Sequence, residues 1–556
     1  MDEWKDRLSP PRHAMRVEKD VVLAARDGTR VAVDVYRPDA PGRFPALLSM
    51  SPYGKDLQRV GEVALPVNPV RGNGGQEAGD SAYFVPRGYV HVIADVRGSG
   101  ASGGEFSYGG RLEQEGGYDL VEWMAAQPWC DGNVGMLGMS YFGRIQLLTA
   151  ALNPPHLRAI APLEANTDAY RHAVYHGGIF CLGFFRQWWG HVSVGRTSPS
   201  TYRELGEAEV ARRVQALLQT EDVRNHPALH VALKFPEKNP VLFDHLIQPL
   251  DGAYYWERSA WTKLDRIRIP CLLGVRWSAW PIHLPGAFAA WQAIDAPKKL
   301  LLYETESPYG PMRPWRDHHD LILRWYDHWL KGNDTGMMEE PPIRLLVKGT
   351  GEWREEREWP LARTRWTKLF LRASGGLAEA APGAEPPDAF TNDPFLHPTQ
   401  AVPGLTYATP PLGEPLEVTG PLALYLQAAL DRPDATWIVA VRDQAPDGTS
   451  RVVTKGWLRA SHRRLDPQRS TPHQPYHPHT ESVPVTPGEV TEYAIEIREM
   501  ANVFQAGHRL VLDIRGQDTP AEDMLFFHLG NQQKTVHSIH HEGSHASYLL
   551  VPRIPR

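Results

Sequence analysis

Cysteine is almost missing from this sequence: Cys130, Cys181 and Cys271 are the whole complement in 556 residues. Three widely spaced thiols argue against a disulfide framework and fit a reducing compartment, so a cytoplasmic location is expected. Apolar runs of the roughly 18 residues needed to span a bilayer are lacking, which argues against a membrane protein. The opening residues, Met1 to Arg7, contain no apolar stretch of the secretory kind. Excess positive charge is lacking as well. Lys and Arg total 59 against 65 Asp and Glu, a net charge of −6, so there is no electrostatic footprint for nucleic acid. No internal repeat is found. In place of these features the chain offers 42% hydrophobic and 10% aromatic residues, enough for large cores. Its length suggests several domains, at about 150 residues each. With 49 Pro and 48 Gly it has turns enough for a good share of β-structure.

The stretch from Asn133 to Gly143 organises the rest. A short apolar run ends in Gly138, Ser140 stands at the turn, and a helical pattern through Ile145, Leu148 and Leu152 starts at once, stopped by Asn153-Pro154-Pro155. This is the pattern of a strand-to-helix elbow that lifts a serine hydroxyl clear of the backbone. It departs by one residue from G-x-S-x-G, because Phe142 precedes Gly143. Backbone N–H groups at such a helix start are suited to an oxyanion.

Around the elbow, strands are expected at Val21–Ala25 and Val31–Val35 (a hairpin through Asp27-Gly28), Phe44–Met50 and Tyr89–Ala94, with a helix at Tyr118–Gln127. Strands without clean alternation, separated by helices, imply a parallel sheet covered on both faces. Residues 166–265 carry helical stretches such as Ala208–Leu218 and read as a helical cap over a pocket. The sheet resumes at Ile269–Val275 and Lys299–Tyr303 and closes with a helix at Leu321–Leu330. From about 341 the texture is all-β, with short strands including Ile343–Val347, Lys368–Leu371, Leu422–Gln427, Trp437–Val441, Glu492–Ile497 and Leu510–Ile514, as in a jelly roll. Residues 373–412 and 464–482 read as long Pro-rich loops.

Several motifs together resemble the CocE/NonD hydrolases, the group of cocaine esterase, α-amino acid ester hydrolases, glutaryl acylases and X-Pro dipeptidyl peptidases. They are Tyr89–Gly104, Val121–Trp129, the elbow Gly138–Gly143, Pro154–Ala159, Arg324–Gly332 and Phe504–Arg509. The likeness runs from about residue 17 to 553. It implies an α/β-hydrolase core at 17–165 and 266–340, a helical cap at 166–265 and a C-terminal jelly-roll domain at 341–556. It implies Ser140 as the acyl-forming nucleophile, with the Tyr53 hydroxyl and the Tyr141 N–H as oxyanion donors.

The sequence departs from that pattern where the serine's partners belong. After the strand Cys271–Val275, Ala279 stands at the position of the acid, and after Leu300–Tyr303, Ser307 (or Pro314 in another frame) stands at the histidine. A serine hydroxyl needs a base within reach, and the base needs an orienting group. Substitutes in the same loops are Glu304, Glu306, His283, His318 and His319. Trp277 and Trp280 flank the acid loop and read as pocket lining. Trp188, Trp189, Phe180 and Phe184 are further candidates for contacting a substrate, with cap core the alternative for most of them.

Other signals point elsewhere. Gly98-Ser99-Gly100-Ala101-Ser102-Gly103 spells a dinucleotide fingerprint but leads into a loop, not a helix, so it reads as a tight turn beneath the elbow. The histidines at 473, 477 and 479 and at 537, 540, 541 and 545 lack a ligand spacing that fixes a metal site. No metal or other cofactor is expected. The expected partner is a small-molecule substrate, without nucleic acid or membrane, and self-association stays open. Three functions remain: hydrolysis or transfer of a small acyl ester or amide, a repurposed non-hydrolytic reaction of secondary metabolism in the same pocket, and a catalytically silent binding protein.

Overall fold

The computed structural model describes residues 3–59, 77–185, 188, 201–238, 240–304, 314–396, 400–518, 523, 525–530, 533–543 and 546–555. The chain opens with β1 (Met15–Ala24) and β2 (Arg30–Pro38), an antiparallel hairpin, then β3 (Phe44–Ser51) and β4 (Val90–Asp95). Helix Arg111–Ala125 precedes β5 (Cys130–Met139), helix Tyr141–Ala150 and β6 (Leu157–Leu163). A two-stranded hairpin follows, β7 (Tyr175–His176) with β8 (Ile179–Phe180). Short helices from Thr201–Glu204 to Ala253–Arg258 come next, then β9 (Cys271–Arg276), helix Leu284–Ala293, β10 (Lys298–Tyr303) and helix Pro314–Trp329. Strands β11 (Ile343–Val347) and β12 (Glu352–Glu356) close the unit.

The first sheet has the order β1-β2-β4-β3-β5-β6-β9-β10-β11-β12. From β4 to β11 every pairing is parallel. Parallel strands need helical crossovers that cover both faces, so their sequences are buried throughout instead of alternating. All six residues of β4 are buried. Its one polar ring, His91, spends both nitrogens on the hydroxyls of Ser49 and Ser81, at 2.9 Å each. Burial lowers its pKa to about 3, so the ring stays neutral.

The second unit is all-β. Its eleven strands run from Arg365–Arg372 to Tyr548–Arg553 and form one hydrogen-bonded set around their own core. The long strands Leu416–Leu430 and Thr491–Phe504 pair antiparallel at its centre.

Three expectations need correcting. Strand Ile343–Val347, expected among the strands of the all-β unit, pairs with β10 and extends the first sheet. Helix Arg111–Ala125 begins about two turns before Tyr118 and contains the Gly116-Gly117 pair. Gly117 is needed there, since a Cβ would stand 2.2 Å from the Thr149 hydroxyl. The stretch 373–412 contains strands Gly376–Ala378, Asp388–Asn392 and Gly404–Ala408, held by their partners instead of by their own propensity. Among the described residues no helix is long and apolar enough to cross a membrane.

Candidate active site

The elbow is strained. Ser140 has φ 57° and ψ −118°, between the last residue of β5 and the first of helix Tyr141–Ala150. A non-glycine residue held there costs about 1–3 kcal/mol, which the neighbouring structure must supply. Met139 N donates to the Glu77 carbonyl and Ser140 N to the Leu163 carbonyl, both at 3.0 Å. Gly143 lets the helix approach β6, since a Cβ there would lie 2.4 Å from the Leu163 oxygen.

One side chain meets the serine and a second, from another strand, stands behind it. Nε2 of His283 lies 3.3 Å from Ser140 Oγ. Nδ1 of the same ring stands 3.2 Å from Oε2 of Glu164. These last two atoms are close without full hydrogen-bond alignment, a looseness common in sites without substrate. His283 follows the short turn Trp277–Ala279 after β9 and is fixed by donation from its N–H to the Ala279 carbonyl at 2.9 Å. Glu164 is the residue immediately after β6, at φ 48°, with its N–H on the Gly274 carbonyl of β9. The three residues thus rise from the ends of β5, β6 and β9, which are adjacent in the sheet.

Glu164 is wholly buried and held by three donations to Oε1: Tyr303 OH at 2.7 Å, Arg276 N at 3.0 Å and Arg276 Nε at 3.2 Å. Burial by itself would raise its pKa. The Arg276 charge and the contacts from His283 and Tyr303 outweigh burial and hold the carboxylate below its usual range.

Tyr53 sits in the turn after β3, its OH accepting from Trp188 Nε1 at 2.9 Å and bonding to Ser140. Burial, with the Glu77 carboxyl beside it, holds this phenol well above its usual pKa, so it remains a neutral donor. Tyr141 provides the first helical N–H, while its ring is turned into the core, where its OH donates to Glu113 at 2.5 Å. Glu77 is itself buried, with Oε2 unpartnered. Burial and the nearby Glu164 charge hold its pKa well above the carboxylate range.

The other sequence candidates are placed as follows. Glu304 accepts from the Ser278 hydroxyl at 2.6 Å and pairs with Lys348 at 3.3 Å, which ties it away from the serine. His318 packs on Tyr303, and His319 stacks on Tyr83. Glu306, Ser307 and Trp189 lie outside the described residues, as does His545. Trp277, expected in the pocket wall, is buried against Phe288 and Trp359 with its Nε1–H on the Leu346 carbonyl at 2.8 Å. The turn after β9 tucks this indole under the sheet edge and makes it core. Trp280 is half-buried on Trp457, under the Lys455 ammonium. Phe180 packs on Tyr175 and Phe185, and Phe184 stacks between Trp188 and Phe526.

The glycine-rich loop at 98–103 wraps the Asp95 carboxylate, which accepts from the N–H groups of Lys55 and Ala101 at 2.7 and 2.9 Å. A Cβ on Gly100 would stand 2.2 Å from that carboxylate, so the glycines serve the turn. His477 bonds two backbone carbonyls, and His479 faces His462 at 3.2 Å.

Glu164 and Glu77 were missed in the sequence. A signal for Glu164 did exist: a carboxylate at the C-terminal end of a parallel strand, beside the elbow strand, is where sites in such sheets collect. Chain order is a second one, since Ser140, Glu164 and His283 keep the serine, acid, histidine sequence of α/β-hydrolases.

Fold and elbow together define the class, an α/β-hydrolase-like protein with serine at the nucleophile turn and an appended all-β domain. The sequence profile of the X-Pro dipeptidyl-peptidase (S15 family) matches residues 27–315, and that of the X-Pro dipeptidyl-peptidase C-terminal non-catalytic domain matches residues 335–550. The chain belongs to this family of serine esterases and peptidases and is a CocE/NonD family hydrolase homologue. It is 26% identical to the cocaine esterase of Rhodococcus sp. (strain MB1 Bresler), over 97% of this chain and 99% of that one. A CocE/NonD family hydrolase from Staphylococcus aureus superposes with a TM-score of 0.80 at 25% identity, covering 97% and 94% of the two chains. An α-amino acid ester hydrolase shares the fold with a TM-score of 0.75 at 20% identity, over 98% and 97%.

Proposed function

We propose that this chain is a serine hydrolase that cleaves or transfers the acyl group of a small ester or amide, using Ser140, His283 and Glu164. The observation that carries this is the relay of contacts, 3.3 Å from Ser140 Oγ to His283 Nε2 and 3.2 Å from His283 Nδ1 to Glu164. Ser140 attacks the acyl carbon, and its proton passes to His283 Nε2. Glu164 stabilises the resulting imidazolium and fixes the tautomer in which Nε2 is the base. The negative charge on the carbonyl oxygen is met by the Tyr53 hydroxyl and the Tyr141 N–H. His283 then returns its proton to the leaving group, and water or another acceptor releases the acyl group by the same steps.

The raised pKa of Glu77 fits this scheme, because a protonated Glu77 places no charge beside the developing oxyanion. A histidine 3.3 Å from the serine supports this reading over the non-hydrolytic alternative, which supposes a serine without a base.

Labelling with a fluorophosphonate tests the proposal. Rapid one-to-one modification at Ser140 is expected, slowed about 10²–10⁴-fold in His283→Ala, the usual range for loss of a general base. An intact protein that resists the probe, or a Ser140→Ala variant that turns over p-nitrophenyl esters at the parent rate, overturns the proposal.

A further inference from the structure

Away from Ser140 a second cluster of reactive side chains is built across the two domains. Strands β7 and β8 pair Tyr175 with Phe180 and His176 with Ile179, and Cys181 N donates to the Val174 carbonyl at 2.9 Å. Side chains two residues apart on a strand share a face, so Cys181 lies on the face of Ile179, diagonal to His176. From the all-β domain, residues 527–529 run alongside: Gly183 N donates to the Phe527 carbonyl at 2.8 Å and Leu529 N to the Phe180 carbonyl at 2.9 Å. Gly183 is needed for this approach, since a Cβ would stand 2.8 Å from Phe527 N. These bonds deliver His528 to the hairpin, and Nε2 of His528 comes within 2.8 Å of Nδ1 of His176.

We propose that His176, Cys181 and His528 bind one divalent transition metal ion of the zinc class, clamping the β7–β8 hairpin to the C-terminal domain. One donor atom from each residue lies within 4.8 Å of the other two, and all three residues are buried. Tetrahedral zinc, with bonds of about 2.0–2.1 Å to nitrogen and 2.3 Å to sulfur, holds its ligand atoms roughly 3.3–3.6 Å apart. The two imidazoles therefore need to separate by only about half an ångström. Two nitrogens and a sulfur suit zinc, whereas magnesium and calcium prefer oxygen ligands.

The surroundings orient the donors. Asp518 Oδ2 lies 2.8 Å from Nδ1 of His528, and Oδ1 accepts the backbone N–H of His528 at 2.7 Å. A carboxylate on the far nitrogen of a metal-binding histidine fixes the tautomer whose other nitrogen carries the free lone pair. With Nδ1–H of His528 given to Asp518, Nε2 faces His176 as an acceptor. His176 Nε2, buried and without a hydrogen-bond partner, is left over. The Trp457 ring walls the site at 5.0 and 5.4 Å from the two imidazoles.

On binding, metal bonds form to Cys181 Sγ, His176 Nδ1 and His528 Nε2, and a fourth ligand comes from outside the trio. The thiol proton is released to solvent. The His176 proton moves from Nδ1 to Nε2, so one proton leaves for each metal bound.

The test uses the full chain, reduced and stripped with a chelator, then titrated with cobalt(II) and with zinc(II) alone. One equivalent of cobalt is expected, with tetrahedral d–d bands and a sulfur-to-cobalt charge-transfer band, both displaced by zinc. Zinc is expected to raise Tm. Cys181→Ser is expected to lose the charge-transfer band, and Asp518→Asn to weaken zinc about 10–100-fold, the usual penalty for losing a carboxylate behind a metal histidine. Circular dichroism confirms that each variant is folded. Failure of the reduced parent chain to take up metal overturns the proposal. So does uptake with an unchanged charge-transfer band in Cys181→Ser, which would place the metal on other histidines and thiols.

Discussion

Glu164→Gln is the substitution that tests the proposed relay most directly, because shape is kept and the charge alone is removed. Three donors converge on Oε1: Tyr303 OH, Arg276 N and Arg276 Nε. The amide oxygen must take that position, since an NH₂ group there would face donors only. The NH₂ is then left at the place of Oε2, 3.2 Å from His283 Nδ1. A donor facing Nδ1 moves the ring proton to Nε2, and the ring presents an N–H to Ser140 where a lone pair is needed. The lost charge adds to this. A unit charge 3.2 Å from the imidazolium is worth roughly 5 kcal/mol at an effective dielectric of about 20. Arg276 on the same carboxylate offsets part of it, leaving roughly half.

A fall of about 10³-fold in kcat/KM is therefore expected, nearly all of it in kcat, because the interaction strengthens only when His283 becomes charged. Steady-state hydrolysis of p-nitrophenyl esters reads the effect. The substitution also takes from the buried Arg276 guanidinium the carboxylate it is paired with, so some loss of stability is expected with it. Glu164→Gln/Arg276→Met separates the two, recovering Tm while staying inactive. A folded Glu164→Gln enzyme within threefold of the parent rate would refute the reasoning.

Other substitutions probe the remaining groups. Tyr53→Phe removes one oxyanion donor and is expected to lower kcat by about 10²–10³ with little change in KM; a change confined to KM would assign the hydroxyl to substrate binding. Gly143→Ala drives a Cβ to 2.4 Å from the Leu163 carbonyl that also anchors Ser140 N, so a loss of about 1–3 kcal/mol in urea unfolding and a drop in kcat are expected together. Glu77 has a folded pKa above its unfolded one, so its favourable contribution is complete below the usual carboxylate range and is lost as pH rises through the folded value. Glu77→Gln is accordingly expected to gain in stability over the parent as pH is raised above the usual carboxylate range, read as a widening difference in Tm; a pH-independent difference would count against a protonated Glu77.

What could be seen in the sequence was local. The elbow is legible because Gly138, Ser140 and Gly143 do their work within six residues of each other, where strain, helix start and close packing share one turn. The buried parallel strands are legible because burial on both faces leaves mostly apolar runs without alternation, such as Val90 to Ala94, interrupted only by His91. Glu164 was legible only as a carboxylate at a strand end in the right chain order, since nothing in Pro162-Leu163-Glu164 records that β9 lies alongside or that Arg276 comes from it. Its role depends on contacts with residues 112 and more positions away. Trp277 misled for the same reason. An indole after a strand end fits a pocket wall or a core equally well, and only the Leu346 carbonyl and the Trp359 ring, both far along the chain, decide.

The proposed relay would let a serine keep a base when the usual positions are empty. In the resembling hydrolases the acid follows the strand that is β9 here, and the histidine follows β10. In this chain Ala279 takes the acid's position, and the histidine on that same loop, His283, reaches the serine. In the proposed relay its acid comes from β6, between the serine's strand and its own. Neighbouring strands are about 4.8 Å apart, so the relay spans two strand spacings, roughly 10 Å, instead of three. Each partner has moved one strand toward the serine. The end of β10 is freed by the same move: Glu304 there binds Ser278 and Lys348 and takes on a structural load. An acid lodged between two strands is buried more deeply than one on an outer loop, and a buried carboxylate needs a counter-charge to stay ionised. Arg276, at the last position of β9, supplies it from the strand that also carries the base. Without Arg276 burial would push the Glu164 pKa up and weaken the relay, so the two residues are expected to depend on each other. In a double-mutant cycle on kcat, Glu164→Gln and Arg276→Met should be strongly non-additive, and additive losses would show that Arg276 acts elsewhere.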